Sequence, residues 1–246
     1  MNIVTRCPCC DGSDLVSHPA KLAPFVAMRV FGDVNIPCHT LVCSNCWFIF
    51  LDIRFSSKEV DKLYDDYRGE EYIKLREKYE PGYRNRNDEL LELCSWLPEI
   101  EKFVEKHITL PVKILDWGGN NGINSPFIGN RQLFIYDIGN IQPLVGERVI
   151  FPTGQYDLIV CASVLEHVPY PFQTMSEIYK AASNDTIIYL DVPIGYNGRG
   201  VWHEHINIFN PSAIDTLLDR SGFDIIEQQS IENPPLLQTV CKRKNE

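Results

Sequence analysis

The chain has 246 residues, 44% of them apolar and 23% charged, with a formal net charge of −10. This length holds one large domain, or a domain with a small module, and the composition is that of a soluble globular protein. An acidic chain has no electrostatic footprint for a phosphate backbone, so nucleic acid is excluded as an expected partner. No apolar run approaches the roughly 18 residues that span a bilayer. Residues 1–6 lack the basic-then-apolar layout of a secretory leader. No membrane partner and a cytoplasmic location are therefore expected. Nine cysteines, an odd number, then argue for free thiols or metal rather than disulfides.

Residues 1–55 read as a distinct module. Cys7-Pro8-Cys9-Cys10 and Cys43-Ser44-Asn45-Cys46 each carry a C-x-x-C pair. Each pair presents two thiolates from a tight turn, and two such turns close a tetrahedral four-cysteine zinc site, Cys7, Cys10, Cys43 and Cys46. The long gap between the pairs could hold an extra loop at 18–37. Cys9, Cys38, His18 and His39 lack the paired spacing. A structural metal would help so short a segment to fold.

Residues 56–110 are charged and helix-rich, and read as a lid or linker. Ser56 or Ser57, with Glu59, caps a first helix through Val60, Leu63 and Tyr64. A second run, 64–79, is dense in Tyr and Arg, and Pro81-Gly82 breaks it. A further helix carries Leu90, Leu91, Leu93, Cys94 and Leu97 on one face and ends near Pro98, with another piece at 99–107. Tyr and Arg of this region either reach a ligand or snorkel from packing helices.

Residues 111–246 alternate strand and helix, which implies a parallel sheet covered on both faces. The segment Val112–Asp116 reads as a buried parallel strand ending in an acid, followed by Trp117-Gly118-Gly119-Asn120-Asn121-Gly122. Gly118, Asn120 and Gly122 suit a turn with positive φ and close backbone approach to a ligand. Such a turn lies where open α/β sheets bind ligands. The dinucleotide fingerprint G-x-G-x-x-G does not fit, because Asn120 and Ile123 occupy two of its glycine positions. A second strand, 132–136, ends at Asp137, 21 residues after Asp116. That spacing places a carboxylate on the neighbouring strand for ribose hydroxyls. Ile138 or Phe151 could pack on adenine, and 147–151 could form the third strand. A strand ending at Ala162-Ser163 leads into a loop with Glu166-His167, then a helix at 172–182 and a strand at 186–192. Next come Trp202-His203-Glu204-His205, a helix capped by Asn210-Pro211-Ser212, and strands at 223–230 and 236–243. Asn233-Pro234-Pro235 between these last strands reads as a rigid turn.

Asp116, Gly118 and Gly122 resemble motif I of class I S-adenosylmethionine (SAM) methyltransferases, D-x-G-x-G-x-G, with Asn120 at the middle glycine. Taken in order, the four-cysteine module, motif I with Asp137, the "YDLIV…LEHV" segment at 156–168 and "HEHIN" at 203–207 resemble methyltransferases with an N-terminal zinc-binding domain. Those enzymes act on sugars or nucleotide-linked metabolites. The resemblance implies an α/β, Rossmann-like seven-stranded sheet whose last strand is antiparallel. It implies SAM at Asp116, Gly118, Gly119, Gly122, Asp137, Ile138, Ala162 and Ser163. His167, Glu204 and His205 align with groups that act at the substrate in sugar C-methyltransferases, and a lid tyrosine falls near Tyr72. Those C-methyltransferases continue into a further C-terminal domain, and a Tyr often stands where this chain has Trp202. Transfer to oxygen or another heteroatom is therefore expected.

A hydroxyl acceptor needs a base near neutral pH and in-line placement at about 3 Å. His205 is the first candidate, with Glu204 orienting it and His167 touching substrate or serving instead. Tyr72 and Arg76 would close over SAM or an anionic group, since Arg suits phosphate and carboxylate. The expected partner is a small sugar or phosphorylated metabolite. The other reading is a catalytically silent SAM-fold scaffold that docks through its zinc module.

Overall fold

The structure is a computed structural model that describes residues 2–91, 94, 96–129, 131–139, 141–194, 204–232 and 234–245. The expectations at Leu93, Trp202, His203 and Asn233 lie outside the described residues.

The N-terminal module contains β1 (Asn2–Ile3), β2 (Leu15–Lys21), α1 (Pro24–Phe31), β3 (Pro37–Cys43), β4 (Ile49–Leu51) and β5 (Ile53–Arg54). The segment expected as an extra loop, 18–37, is the end of β2 followed by α1. Pro24 opens that helix, where a missing N–H costs nothing. Phe25, Val26, Ala27 and Val30 bury one face of it. This face packs with Leu63, Tyr72 and Ile73 into one cluster.

Four helices follow: α2 (Ser57–Tyr64), α3 (Glu70–Tyr79), α4 (Tyr83–Leu91) and α5 (Leu97–Val104). The Ser56–Glu59 capping box forms, with the Ser56 N–H donating to Glu59 Oε2 at 2.8 Å. Pro98 does not end a helix, as the sequence suggested. It sits in the first turn of α5, a position that tolerates proline.

The remainder supplies β6 (Lys113–Trp117), β7 (Gln132–Tyr136), β8 (Glu147–Arg148), β9 (Leu158–Ala162), α6 (Pro171–Ala181), β10 (Ile187–Pro193), β11 (Asn207–Ile208), α7 (Pro211–Arg220), β12 (Phe223–Glu232) and β13 (Pro235–Arg243). Seven of these strands form one sheet in the order β12-β13-β10-β9-β6-β7-β8. Neighbours from β10 through β8 are parallel, and β13 runs antiparallel to both β10 and β12. The α/β sheet with an antiparallel last strand is thus the one expected. Period-two alternation sorts its two faces. Ile114, Ile135, Leu158 and Val160 face Phe103 and Val104 of α5. Leu115, Ile159 and Cys161 face Met175 and Ile178 of α6 and Leu217 of α7.

Among the described residues no helix forms between β6 and β7. Gly118, Asn120, Gly122, Phe127 and Gly129 all have positive φ there, which breaks any helical run. The α7 start is as read: Asn210 Oδ1 accepts from the Ala213 N–H at 3.0 Å, and Pro211 follows.

The cysteine module does not stand apart. Its second sheet has the order β11-β4-β3-β2, so β11, from the far end of the chain, pairs antiparallel with β4. Phe48 stacks on Phe50 at 5.2 Å and meets Phe209 at 4.8 Å between ring centroids. Cys7, Cys43 and Phe48 share one buried cluster with Leu115, Ile159 and Leu217. Among the described residues no helix is long and apolar enough to cross a membrane.

This continuity sets an expectation for unfolding. Urea transitions followed by tryptophan fluorescence and by far-UV circular dichroism should coincide. Phe48→Ala should lower that single transition by about 3–5 kcal/mol. Two separated transitions would show the module folding by itself.

Candidate active site

The carboxyl edge of the sheet gathers the site. At the end of β6 the chain turns with φ of 84° at Gly118, 51° at Asn120 and 81° at Gly122. Glycine is required at two of these positions by space as well. A Cβ at Gly118 would lie 2.5 Å from Val164 Cγ2, and one at Gly122 would lie 2.1 Å from the Val145 carbonyl oxygen. Gly119 packs over Asp116, whose carboxyl would meet an added Cβ.

Asp137, at the tip of β7, holds this turn. Its Oδ2 accepts from the Asn120 N–H at 2.9 Å and its Oδ1 from the Gly139 N–H at 2.6 Å. Burial raises its pKa, and those two backbone bonds pull the other way. Asp116 is 6% exposed and accepts from the Ser125 hydroxyl. Burial pushes it up to about 7, against the hydroxyl bond, with Asp137 and Asp191 adding to the rise.

Asp191, Tyr189 and Gln238 were missed from sequence. Asp191 is paired beside Ala162 in the β9–β10 register. Its Oδ1 accepts from the Ser163 N–H at 2.9 Å and from Ser163 Oγ at 3.0 Å. Its Oδ2 accepts from Tyr189 Oη at 2.8 Å, and Tyr189 Oη accepts from Gln238 at 3.0 Å. This chain fixes Ser163 at its φ of 52°. The only sequence signal was an acid inside an otherwise apolar strand.

A cavity of about 420 Å³ opens over these strand tips. Gly118, Asp137 and Ile138 line it, with Ser163, His167 and Tyr64 among the other wall residues. A cavity this size is in the range of small-molecule sites. Ile138 is 58% exposed in this wall, whereas Phe151, 76% exposed, is not among the lining residues. Tyr72 and Arg76 do not line the cavity either. Tyr67 lines it instead, with its ring 5.2 Å from Tyr72 and 5.3 Å from Tyr64.

Behind that wall lies a buried ion pair. Arg76 donates from Nη1 to Glu204 Oε1 at 2.7 Å, and its Nη2 lies 2.6 Å from Glu204 Oε2. Its Nε donates to Glu80 at 2.9 Å, and Nη1 also reaches Tyr72 Oη at 3.0 Å. Tyr83 stacks 4.1 Å from the guanidinium carbon. Burial alone would raise the Glu204 pKa, but Arg76, then His167 and His205, hold it down at about 2. With its guanidinium so engaged, Arg76 has no evident capacity left for a ligand anion. Arg68 has such capacity: its Nε and Nη1 are buried without hydrogen-bond partners among the described residues, and it lies 5.2 Å over the Tyr67 ring.

His167 and His205 meet edge to face at 4.6 Å. Burial lowers the His167 pKa, with Glu204 opposing. Neutral imidazole is then its resting form. Glu166, 2% exposed, has no hydrogen-bond partner on either oxygen among the described residues, with His167 Nε2 3.8 Å from its Oε1, and burial pushes it well above the carboxylate range. Ligating atoms of Glu166, His167 and His205 lie within 4.8 Å of one another. The structure therefore brings together His167, Glu204 and His205, the three groups the sequence singled out.

The four cysteines also converge. Cys7 Sγ lies 3.6 Å from Cys46 Sγ, and Cys10 Sγ lies 3.4 Å from Cys43 Sγ. Bonds of about 2.3 Å to a tetrahedral zinc give sulfur–sulfur edges near 3.8 Å, so the donor set and spacing fit that ion. The hydrogen bond that Cys7 and Cys46 share lowers the Cys7 thiol and raises that of Cys46, as expected for two sulfurs sharing a proton. His39 is engaged elsewhere, its Nδ1 2.9 Å from Asp52.

The methyltransferase domain family matches residues 83–228, and the chain belongs to that family. No curated protein matches the chain. The fold is similar to 1,6-didemethyltoxoflavin-N1-methyltransferase of Burkholderia thailandensis, solved with 1,6-didemethyltoxoflavin and S-adenosylhomocysteine (SAH). The TM-score is 0.58 at 13% identity, covering 84% of this chain and 96% of that one. It is also similar to magnesium protoporphyrin IX methyltransferase of Synechocystis PCC 6803 solved with SAM, at a TM-score of 0.52 and 14% identity, covering 77% and 98%.

Two outcomes follow from the buried charges. Arg76→Met should destabilise the protein by about 3–5 kcal/mol in urea titrations, and adding Glu204→Leu should recover part of that loss, because the lone buried carboxylate is the costly species. Asp116 has a folded pKa above its unfolded value. Its contribution to stability is therefore full at low pH and is lost as pH rises from about 4 through 7. Melting of Asp116→Asn should vary less with pH over that window than melting of the parent.

Proposed function

We propose that the protein is a SAM-dependent methyltransferase acting on a hydroxyl of a small polar metabolite, a sugar, nucleotide-sugar or phosphorylated compound. The observation that carries this reading is one cavity lined by Gly118 of the Asp116–Gly122 turn, by Asp137 and by His167, with His205 packed behind His167. Bound there, SAM supplies a methyl group already activated on a sulfonium. Asp137 is placed for the ribose, Ile138 for the adenine, and Gly118, Gly119, Gly122, Ala162 and Ser163 for the rest of the cofactor. Structural zinc at Cys7, Cys10, Cys43 and Cys46 completes the reading.

What the chain must supply is position and a proton acceptor. His167 lines the cavity in neutral form, so it takes the acceptor's proton. His205 stands against it, and ionised Glu204 beside both rings stabilises the charge that develops. The candidate for a phosphate or other anion on the acceptor is Arg68, which stands behind the cavity wall over the Tyr67 ring and would reach the ligand past it.

The test is calorimetry with SAH, then SAH release from SAM with a panel of sugars, nucleotide-sugars and phenols. His167→Gln should keep SAH affinity and lose turnover by roughly 10²–10⁴-fold. The acid limb of kcat/KM should lie below the ordinary histidine value of about 6.5, because burial keeps the base form available to lower pH. No heat with SAH would overturn the assignment. Unchanged turnover in both His167→Gln and His205→Gln would remove the histidine base.

A further inference from the structure

We infer that Arg54 and Asn207 are positioning residues that lock the Glu166–His167 turn and the Glu204–His205 segment to each other and to the four-cysteine module, so that this module sets the geometry of the histidine pair. The inference deepens the proposed use of those histidines and rests on it.

Asn207 is 1% exposed and uses its side chain in three directions. Its Nδ2 donates to the Leu165 and Val168 carbonyls, at 2.8 Å each, which bracket Glu166 and His167. Its Oδ1 accepts from Arg54 Nη2 at 3.0 Å. The backbone repeats the link. The N–H groups of Ile206 and Asn207 donate to the Glu166 carbonyl at 3.0 and 3.2 Å, and the Leu51 N–H donates to the Ile206 carbonyl at 3.0 Å. Residue 207 is also where β11 joins β4. The two histidine-bearing segments therefore share one amide side chain as a clasp, and its third bond leads into the module.

Arg54 is fully buried, and its acceptors are an amide and the Ile53 carbonyl rather than a carboxylate. Its guanidinium lies 5.2 Å over the Phe50 ring. Phe50 belongs to the cluster that contains Cys7, Cys43 and Cys46. A buried cation that could be replaced by a packed apolar side chain is poor value for stability alone. Four thiolates around one divalent ion carry a net charge of −2, and Cys7 and Cys9 are within electrostatic reach of Arg54. A loaded centre adds to Asp52 in balancing Arg54, and Arg54 carries its state to Asn207. Lys at 54 keeps the charge but cannot bond two acceptors from one planar fork. Asp at 207 turns an acceptor toward two carbonyls that need a donor.

The test uses full-length, metal-loaded protein with ¹³C-labelled histidine, SAH as the ligand probe and metal content by mass spectrometry. His167 and His205 signals are assigned through their Gln variants. Arg54→Lys and Asn207→Asp should keep one metal per chain and SAH affinity within about twofold, a difference of under 0.5 kcal/mol. Both should nevertheless move the His167 and His205 signals and leave those of His18 and His107 in place. Stripping the metal from the parent should move the same two signals. Folded variants with parent-like His167 and His205 signals would overturn the inference. So would a parallel loss of SAH affinity and of all histidine signals, which marks general loosening. A parent that binds no SAH but shows the coupled signals would sink the cofactor reading and leave this joint standing.

Discussion

The Arg76–Glu204 pair spans 128 positions of sequence and is buried at both ends. A guanidinium and a carboxylate removed from water must satisfy each other in nearly fixed geometry, because either one alone is strongly destabilising. That demand ties α3, from the helical segment, to the residues just before β11. It also places an ionised carboxylate beside two histidines. Tyr72 and Tyr83 close around the pair and shut out water. The cavity wall of Tyr64 and Tyr67 is built on that foundation.

The same problem recurs along the sheet edge, with different solutions. Asp137 is held by the N–H groups of the turn it organises. Asp191 is held by hydroxyls of Ser163 and Tyr189. Asp116 has one hydroxyl, and burial pushes its pKa up to about 7. Glu166 has no hydrogen-bond partner among the described residues and faces only His167, 3.8 Å away. Acids buried together at one edge give a site whose protonation depends on what binds there, since each added donor or cation changes the balance for its neighbours.

The cysteine module belongs to this site more closely than its place at the start of the chain suggests. Its sheet accepts β11, its aromatic core runs into the face covered by α6 and α7, and its last arginine reaches Asn207. A module that a linear reading separates at residue 55 is, in three dimensions, one wall of the same core.

Much of the cofactor edge was legible in the chain alone. The turn after Asp116 needs residues that accept positive φ, and glycine and asparagine announce it. An acid at the tip of the next strand follows a local spacing. Two C-x-x-C pairs declare their geometry within a few residues each, and apolar alternation declares the strands. These features depend on neighbours in sequence, so composition and spacing determine them. The helix inside 18–37, the burial of Arg76 against Glu204 and the clasp at Asn207 depend on segments that meet only after folding. An arginine written in a helical run looks the same whether it will face a ligand or a carboxylate over a hundred residues away. Only the packed structure decides which, because the cost of burying a charge is set by what surrounds it.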